Sequence, residues 1–283
     1  MCGLSLKDPR AGQAWAAREP DYRTFFCLLE VPSHLVALSA LQGDFGAGAR
    51  VLDDMQKALE ALGQPGFGFW PCEPGLFRLY RGEWEEARRL LHAGLDWARQ
   101  SHDHRVAAPA AQLLGRVYAE LAEYPLAEEH LQWALDLFRR ATDVLGELSL
   151  LPHLCQVSLC TGQRAKAGEY LAQAQRILAR PPDWAGLRAD VFLAEALVEA
   201  ADDRWDAAEV AFGRAAAVCQ QYGLPWDEAR VYYEWGKALL RGEAGFVQRE
   251  QAAGLLRRAL ALWEPMGAAP YAERCRALVA PAG

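Results

Sequence analysis

The 283-residue chain carries 30 Lys and Arg residues against 37 Asp and Glu residues, and 52% of its residues are hydrophobic. This apolar fraction is enough for a continuous core and argues against intrinsic disorder, while the net charge of −7 without a basic run argues against nucleic-acid binding. No apolar stretch reaches the roughly 18 residues of a membrane-spanning helix. We therefore expect a cytoplasmic protein with no membrane partner and with reduced cysteines.

The first 30 residues form a segment without a clear internal repeat. Trp15 and Tyr22 are its large aromatic residues, and the stretch from Met1 to Arg10 lacks the apolar core of a signal peptide. We predict that residues 1–30 form an N-terminal partial repeat or cap.

A short pattern recurs along the rest of the chain: a turn-forming or small residue, then an aromatic two positions later, then a small residue three positions after that. The pattern is fullest at Gly82-Glu-Trp84, Ala122-Glu-Tyr124 and Asp203-Arg-Trp205. Six small residues mark its copies at intervals of 39, 40, 40, 41 and 44 residues, namely Gly48, Ala87, Ala127, Ala167, Ala208 and Ala252. A period held over six copies predicts a helical repeat array.

The small residues have a physical role in this interpretation. A chain reversal lies before each aromatic residue, and a helix follows it, so each copy predicts a pair of antiparallel helices. Small side chains permit a close approach of the two helix axes. We therefore expect the six marker residues to be buried between helices, with residues 31–266 forming six repeats and residues 267–283 forming a capping helix and tail.

One irregular segment stands out from the repeat. Residues 63–75 are rich in glycine and proline and replace part of a first helix, leaving a shortened helix near Leu76 to Tyr80. Phe67, Phe69 and Trp70 of this segment either line a binding site or pack over a gap in the helical stack.

The residues that could perform chemistry are few. His102 and His104 flank Asp103, but a metal site needs further ligands, so a solvated turn is the favoured interpretation. Paired acids such as Glu85 and Glu86 lie near the start of a predicted helix, where negative charge is stabilising. No nucleophile elbow, phosphate-binding loop or catalytic cysteine pattern is present, so we expect no enzymatic activity, no cofactor and no metal.

The third and last copies resemble a known family. Leu114-Gly115-x-x-Tyr118, followed by Ala127-x-x-x-Leu131-x-x-Ala134, resembles the tetratricopeptide repeat, and Trp235-Gly236 repeats the first-helix motif. The resemblance extends from about Pro32 to Trp263 and implies an all-α, right-handed superhelical solenoid of antiparallel helix pairs. The period is near 40 rather than about 34 residues.

Long repeats of this kind are similar to the C-terminal sensor regions of bacterial signalling ATPases and cyclase-like multidomain proteins, including the maltotriose-responsive activator. The tail from Tyr222 to Arg230, and onward to Met266-Gly-Ala268, carries much of this likeness. The phosphate-binding loop of those larger proteins is absent from this sequence.

The resemblance implies a binding face, because the first helices line the concave side of a tetratricopeptide superhelix. This geometry places six residues there: Gln112, Arg116, His153, Gln156, Tyr233 and Lys237. Arg116, Gln156 and Lys237 hold one equivalent position in three repeats. Two functions remain open: a non-catalytic scaffold or signalling module that binds a peptide or protein, and a sensor that binds a small sugar- or nucleotide-like effector. A merely solvated inner face is the alternative to both.

Overall fold

The computed structural model describes residues 31–61, 72–101, 104–241 and 246–279. In these ranges the chain forms thirteen α-helices and no strand, and no helix is both long and apolar enough to cross a membrane. The helices are α1 Val31–Leu41, α2 Phe45–Ala61, α3 Cys72–Arg81, α4 Trp84–Ser101, α5 His104–Glu120, α6 Tyr124–Arg140, α7 Val144–Cys160, α8 Arg164–Leu178, α9 Arg188–Ala201, α10 Trp205–Tyr222, α11 Pro225–Leu239, α12 Phe246–Met266 and α13 Ala269–Val279.

Consecutive helices pack as pairs, from α1 with α2 to α11 with α12, and α13 packs on α12. Each pair also contacts the next, so the pairs stack into a solenoid with two adjoining apolar clusters along its length. The prediction of an all-α solenoid of helix pairs is confirmed.

The marker residues of the repeat are buried as predicted. Gly48 is buried, and the five alanine markers that follow it are fully inaccessible. In the third repeat a Cβ atom on Gly115 would lie 2.5 Å from Leu131 Cγ and 3.1 Å from the Ala127 carbonyl oxygen. A Cβ on Gly236 of the last repeat would meet Leu256 and the Ala252 carbonyl in the same way. The first-helix glycine and the second-helix alanine therefore set the distance between paired helices.

The irregular segment does shorten a first helix. Helix α3 has 10 residues, against 17 in α5 and α7, and it begins at Cys72 rather than near Leu76. Phe67, Phe69, Trp70, His102, Asp103 and residues 1–30 lie outside the described residues, as does the side chain of His104.

The solenoid returns on itself, so that its last helices pack against the second repeat. The Trp226 Nε1–H group of α11 donates to the Tyr80 carbonyl at 3.0 Å, and the Tyr271 hydroxyl of α13 donates to the Leu79 carbonyl at 3.0 Å. Trp84 Nε1–H donates to that same hydroxyl at 3.2 Å. Both carbonyls belong to the last turn of α3: the Tyr80 carbonyl lies where helical backbone donors run out, whereas the Leu79 carbonyl also accepts from the Gly82 N–H group at 3.0 Å. We call this contact the seam.

Two glycine turns also lie against residues of the last helices at the seam. Gly82, between α3 and α4, has φ +81° and would place a Cβ 2.9 Å from Pro270; Gly43, between α1 and α2, has φ +71° and would place one 2.3 Å from Met266. Both glycines serve a left-handed turn and a close approach at once. The turn glycine between the two helices of a repeat thus also makes room for the last helices of the solenoid.

Overpacking at a marker residue should destabilise the fold. We expect Ala127→Leu to lower the free energy of unfolding by about 1–3 kcal/mol, because the added atoms must displace the backbone of α5 at Gly115. Glu129→Ala, at an exposed position on the same helix, should change it by less than about 0.5 kcal/mol. Urea unfolding of both variants measures the difference, and equal losses would contradict the packing described. Glu128 is not a suitable control, because it pairs with Lys166 and is only partly exposed.

Removing one hydroxyl should weaken the seam. Tyr271→Phe takes away a donor to the Leu79 carbonyl and leaves Trp84 Nε1–H without its acceptor, so we expect a loss of about 1–3 kcal/mol in the free energy of unfolding. Tyr170→Phe is the matched control, since Tyr170 is also buried and its hydroxyl donates to Gln132 on the neighbouring repeat, away from the seam. Thermal unfolding of the two variants compares them. A similar cost for both would show that the seam hydroxyl has no special role.

Candidate functional site

Two cavities lie on the inner side of the solenoid. The smaller, of about 240 Å³, has walls that include four large aromatic residues, and we call it the aromatic cavity: Trp226, Tyr233, Trp263 and Tyr271. The larger, of about 580 Å³, has mostly apolar walls, and we call it the apolar cavity: Leu41, Leu145, Pro182, Trp184, Leu187 and Leu224. Arg116, His153 and Arg230 line both cavities, and we call these three residues the shared layer.

The structure brings the predicted inner-face residues to these cavities. Five of them line the aromatic cavity: Arg116, His153, Gln156, Tyr233 and Lys237. Gln112 instead lines the apolar cavity, where its Nε2 atom donates to Ser149 Oγ at 3.1 Å. The three residues predicted to be equivalent thus meet at one cavity, from α5, α7 and α11. That they bind a ligand stays a prediction.

Aromatic packing fixes the shape of the aromatic cavity. The Trp226 ring lies 5.9 Å from Trp263 and 5.2 Å from Tyr271, measured between ring centroids, and Tyr233 lies 5.6 Å from Trp263. Trp226 is only 1% exposed, because its indole reaches α3 across the seam. The same contacts that join the two ends of the solenoid therefore build a wall of this cavity.

An ion-pair cluster crosses the floor of the apolar cavity. The Arg230 guanidinium pairs with Asp190 on α9 and lies 3.8 Å from Asp227 on α11, and their side chains are 13%, 19% and 13% exposed, respectively. These residues were not among those predicted from sequence. The repeat period could have indicated this ion pair, since Asp190 and Arg230 are 40 residues apart and hold equivalent positions in successive repeats. Ser149 lies about one further period upstream of Asp190.

Burial and neighbouring charge shift three pKa values here. Burial raises the pKa of Asp227 to about 6, against the lowering effect of Arg230. Loss of water contact, together with the positive charges of Arg116 and Arg230, holds the pKa of His153 well below its usual range. Burial also raises the pKa of the Tyr80 hydroxyl. The site therefore contains a neutral imidazole between two guanidinium groups.

The cations of the aromatic cavity differ in their partners. Lys237 pairs with Glu234 at 2.9 Å, and Glu234 is itself buried. Arg274 pairs with Glu120 at 2.5 Å and donates to the Glu120 carbonyl. Removing Lys237 would leave a buried carboxylate without its cation, so Lys237→Ala should destabilise the free protein. Lys237 is therefore engaged in an internal ion pair before any ligand binds.

The chemistry offered by the site is that of hydrogen bonding and charge. Within the described ranges, no three His, Cys, Asp or Glu residues are grouped as metal ligands. The side chains of Gln156 and His153 make no hydrogen bond to other described residues, so their polar atoms are available to a ligand. Such a combination of apolar walls and a few polar groups is typical of ligand sites.

The sequence comparison identifies the repeat over part of the chain. A family model described as a tetratricopeptide repeat matches residues 75–140, which extend from α3 to the end of α6. No curated protein shows significant sequence similarity to this chain. The predicted resemblance to tetratricopeptide-repeat proteins is confirmed.

Solved structures with the same fold include NprR, a Rap protein and a signalling ATPase. NprR in complex with its cognate peptide NprX is 14% identical, with a TM-score of 0.68, and the match covers 95% of this chain and 76% of NprR. A Rap protein complexed with Competence and Sporulation Factor is 10% identical, with a TM-score of 0.63, over 97% of this chain and 80% of Rap.

A third structure with this fold is a signal transduction ATPase with a tetratricopeptide repeat sensor from Pyrococcus horikoshii. It is 17% identical with a TM-score of 0.53, and the match covers 88% of this chain but 37% of the ATPase. The likeness of this chain to the sensor regions of signalling ATPases is thus confirmed at the level of the fold.

Stability should depend on pH through Asp227. The folded protein keeps a proton on this carboxyl up to about pH 6, whereas an unfolded chain releases it near pH 4. Its contribution to the free energy of unfolding therefore falls as pH rises between these values, by on the order of 3 kcal/mol.

Asp227→Asn removes this titration. We expect the melting temperature of the variant, relative to that of the wild type, to rise from pH 4.5 to pH 7.5, as measured by differential scanning calorimetry at both values. Asp54→Asn, at an exposed position on α2, controls for the loss of one formal charge. A constant difference between variant and wild type across this range would show that Asp227 does not carry a raised pKa.

Proposed function

We propose that this chain is a non-catalytic receptor module whose inner face binds a peptide. The observation that carries the proposal is the pair of adjoining cavities, which share one layer of polar residues and are lined from six first helices. A ligand in this position would contact most of the repeats at once, so its binding would affect the arrangement of the whole solenoid.

The form of the site suits an extended ligand with alternating chemistry. The larger cavity falls within the roughly 300–1,000 Å³ of typical ligand pockets, and its leucine and proline walls favour apolar side chains. Gln156 and His153 offer hydrogen-bonding groups that could pair with a peptide backbone. Apolar pockets beside backbone-binding polar groups are what a short peptide requires.

The structural neighbours support the same conclusion. NprR and Rap share this fold over nearly the whole chain; NprR was solved with its cognate peptide NprX, and Rap with Competence and Sporulation Factor. At identities of 14% and 10%, the roles of individual residues are not transferred from these proteins to this chain. The proposal therefore rests on the cavities of this chain.

A second candidate function is sensing of a small polar effector. The aromatic cavity, at about 240 Å³, is small for a peptide, and aromatic walls with nearby hydrogen-bonding groups suit a sugar- or nucleotide-like molecule. The sensor-bearing ATPase favours this function. A screen of peptides, sugars and nucleotides decides between peptide binding and effector sensing.

The test is a binding screen followed by one matched pair of variants. A thermal-shift screen of peptide, sugar and nucleotide libraries should yield a peptide that raises the melting temperature. Gln156→Ala should then raise the dissociation constant of that peptide about threefold to tenfold, as measured by titration calorimetry, because the substitution removes a hydrogen-bonding amide from the cavity wall.

The unliganded melting temperature of Gln156→Ala should stay close to that of the wild type, since Gln156 makes no hydrogen bond to another described residue. Gln175→Ala, at an exposed position on α8, should leave the affinity unchanged. A binder restricted to sugars or nucleotides would favour the sensor. A peptide whose affinity is equal in both variants would place its site elsewhere.

A further inference from the structure

Arg116 differs from the other cations of the site. Arg230, Lys237 and Arg274 each have a carboxylate partner, whereas Arg116 has no ion pair with a described residue. Its contacts are with Tyr80: the guanidinium carbon lies 5.1 Å from the ring centroid, and Nη1 lies 3.4 Å from the hydroxyl oxygen. Most of its N–H donors therefore have no partner among the described residues.

We propose that Arg116 binds a carboxylate of the ligand. The inference rests on the proposed function for the location of the site, and it adds the chemical class that the site selects. A guanidinium group offers parallel N–H donors that match the two oxygens of a carboxylate. Because Arg116 lines both cavities, a carboxylate bound there can belong to a ligand whose apolar part lies in the larger cavity.

Neighbouring groups favour an anion at this point. The buried Nε–H group of Arg230 has no hydrogen-bond partner within the described chain, although Arg230 is part of the same shared layer. Gln156, on α7, adds an amide donor at the aromatic cavity. Unused donors of Arg116 and Gln156 therefore line the same cavity, and Arg230 adds a second guanidinium group to its wall.

The surrounding charges also limit the charge of that anion. Asp190 and Asp227 lie beside Arg230 on the floor of the apolar cavity, and both affect Arg116 electrostatically. A doubly charged phosphate would meet this pair of acids at close range, whereas a single carboxylate would balance the one unpaired guanidinium. The arrangement therefore favours a monoanion.

A carboxylate can come from the C-terminus of a peptide or from an Asp or Glu side chain. The first arm of the test needs no identified peptide. It compares N-acetyl-leucine with its carboxamide, each at about 50 mM and at matched ionic strength, by the shift in melting temperature that mass action produces. The acid should stabilise the wild type more than the amide does, and Arg116→Met should abolish this difference.

Two further variants make the first arm specific. Arg176→Met, at an exposed position on α8, should retain the difference between acid and amide. Arg116→Lys should retain part of it, because the charge remains while the paired donors are lost. Equal effects of acid and amide on the wild type, including no effect of either, would overturn the inference even if peptides bind. A difference between them, without any peptide binder, would instead leave the inference standing and defeat the proposed function.

The second arm uses a peptide from the screen. C-terminal amidation should weaken it at least about tenfold if the terminal carboxylate binds Arg116, and replacement of its Asp and Glu residues by Asn and Gln should do so if a side chain binds. In Arg116→Met the sensitive peptide and its neutral counterpart should bind equally. A peptide insensitive to both changes would overturn the inference.

Discussion

The organisation of this protein depends on the seam, where an indole group from the last repeat and a phenol group from the capping helix α13 bind the carbonyls that end α3. The Tyr80 carbonyl would otherwise need water or a capping residue, and the Leu79 carbonyl accepts a second hydrogen bond there beside that from Gly82. Trp226 and Tyr271 supply donors from sequence positions 146 and 192 residues away. Without this contact the inner face would be an open groove. With it, the same aromatic rings become the wall of an enclosed cavity, so the completion of the fold and the formation of the site are one event.

Charge is distributed around the site in an orderly way. Three of its cations are held by carboxylates that are themselves partly or wholly buried, which limits the desolvation cost of placing them in the interior. Arg116 is stabilised only by the Tyr80 ring and by acids that belong to Arg230. A ligand anion would pair with the one cation of the shared layer that has no carboxylate partner within the described chain. Electrostatic preorganisation of this kind requires rigid support, which the helix pairs provide through their close glycine–alanine contacts.

The sequence predicted the fold well because local geometry repeats. Each marker alanine faces its own helix partner, so a period of about 40 residues was enough to locate every helix pair from α3 onward. It also placed Arg116, Gln156 and Lys237 at one cavity, since equivalent positions on successive first helices face the same side. The seam could not be predicted in this way, because Tyr80 and Trp226 hold no equivalent positions in the repeat. Nor could the partners of Lys237 and Glu128 be predicted, because ion pairing depends on side-chain geometry that a repeat frame does not contain.

Closure of the solenoid also changes how the protein should unfold. An open repeat array behaves as a one-dimensional chain of neighbours, in which the terminal repeats fray first and intermediate states can be populated. The last repeat packs against the second through the seam, and Met266 also lies against Gly43 of the first repeat. Opening the first or the last repeat must therefore break contacts between the two ends as well as a neighbour interface. Partial unfolding is then penalised at both ends, and hydrogen-exchange protection extends to helices that would otherwise be the least stable. A repeat protein closed in this manner acquires the all-or-none cooperativity of a globular domain.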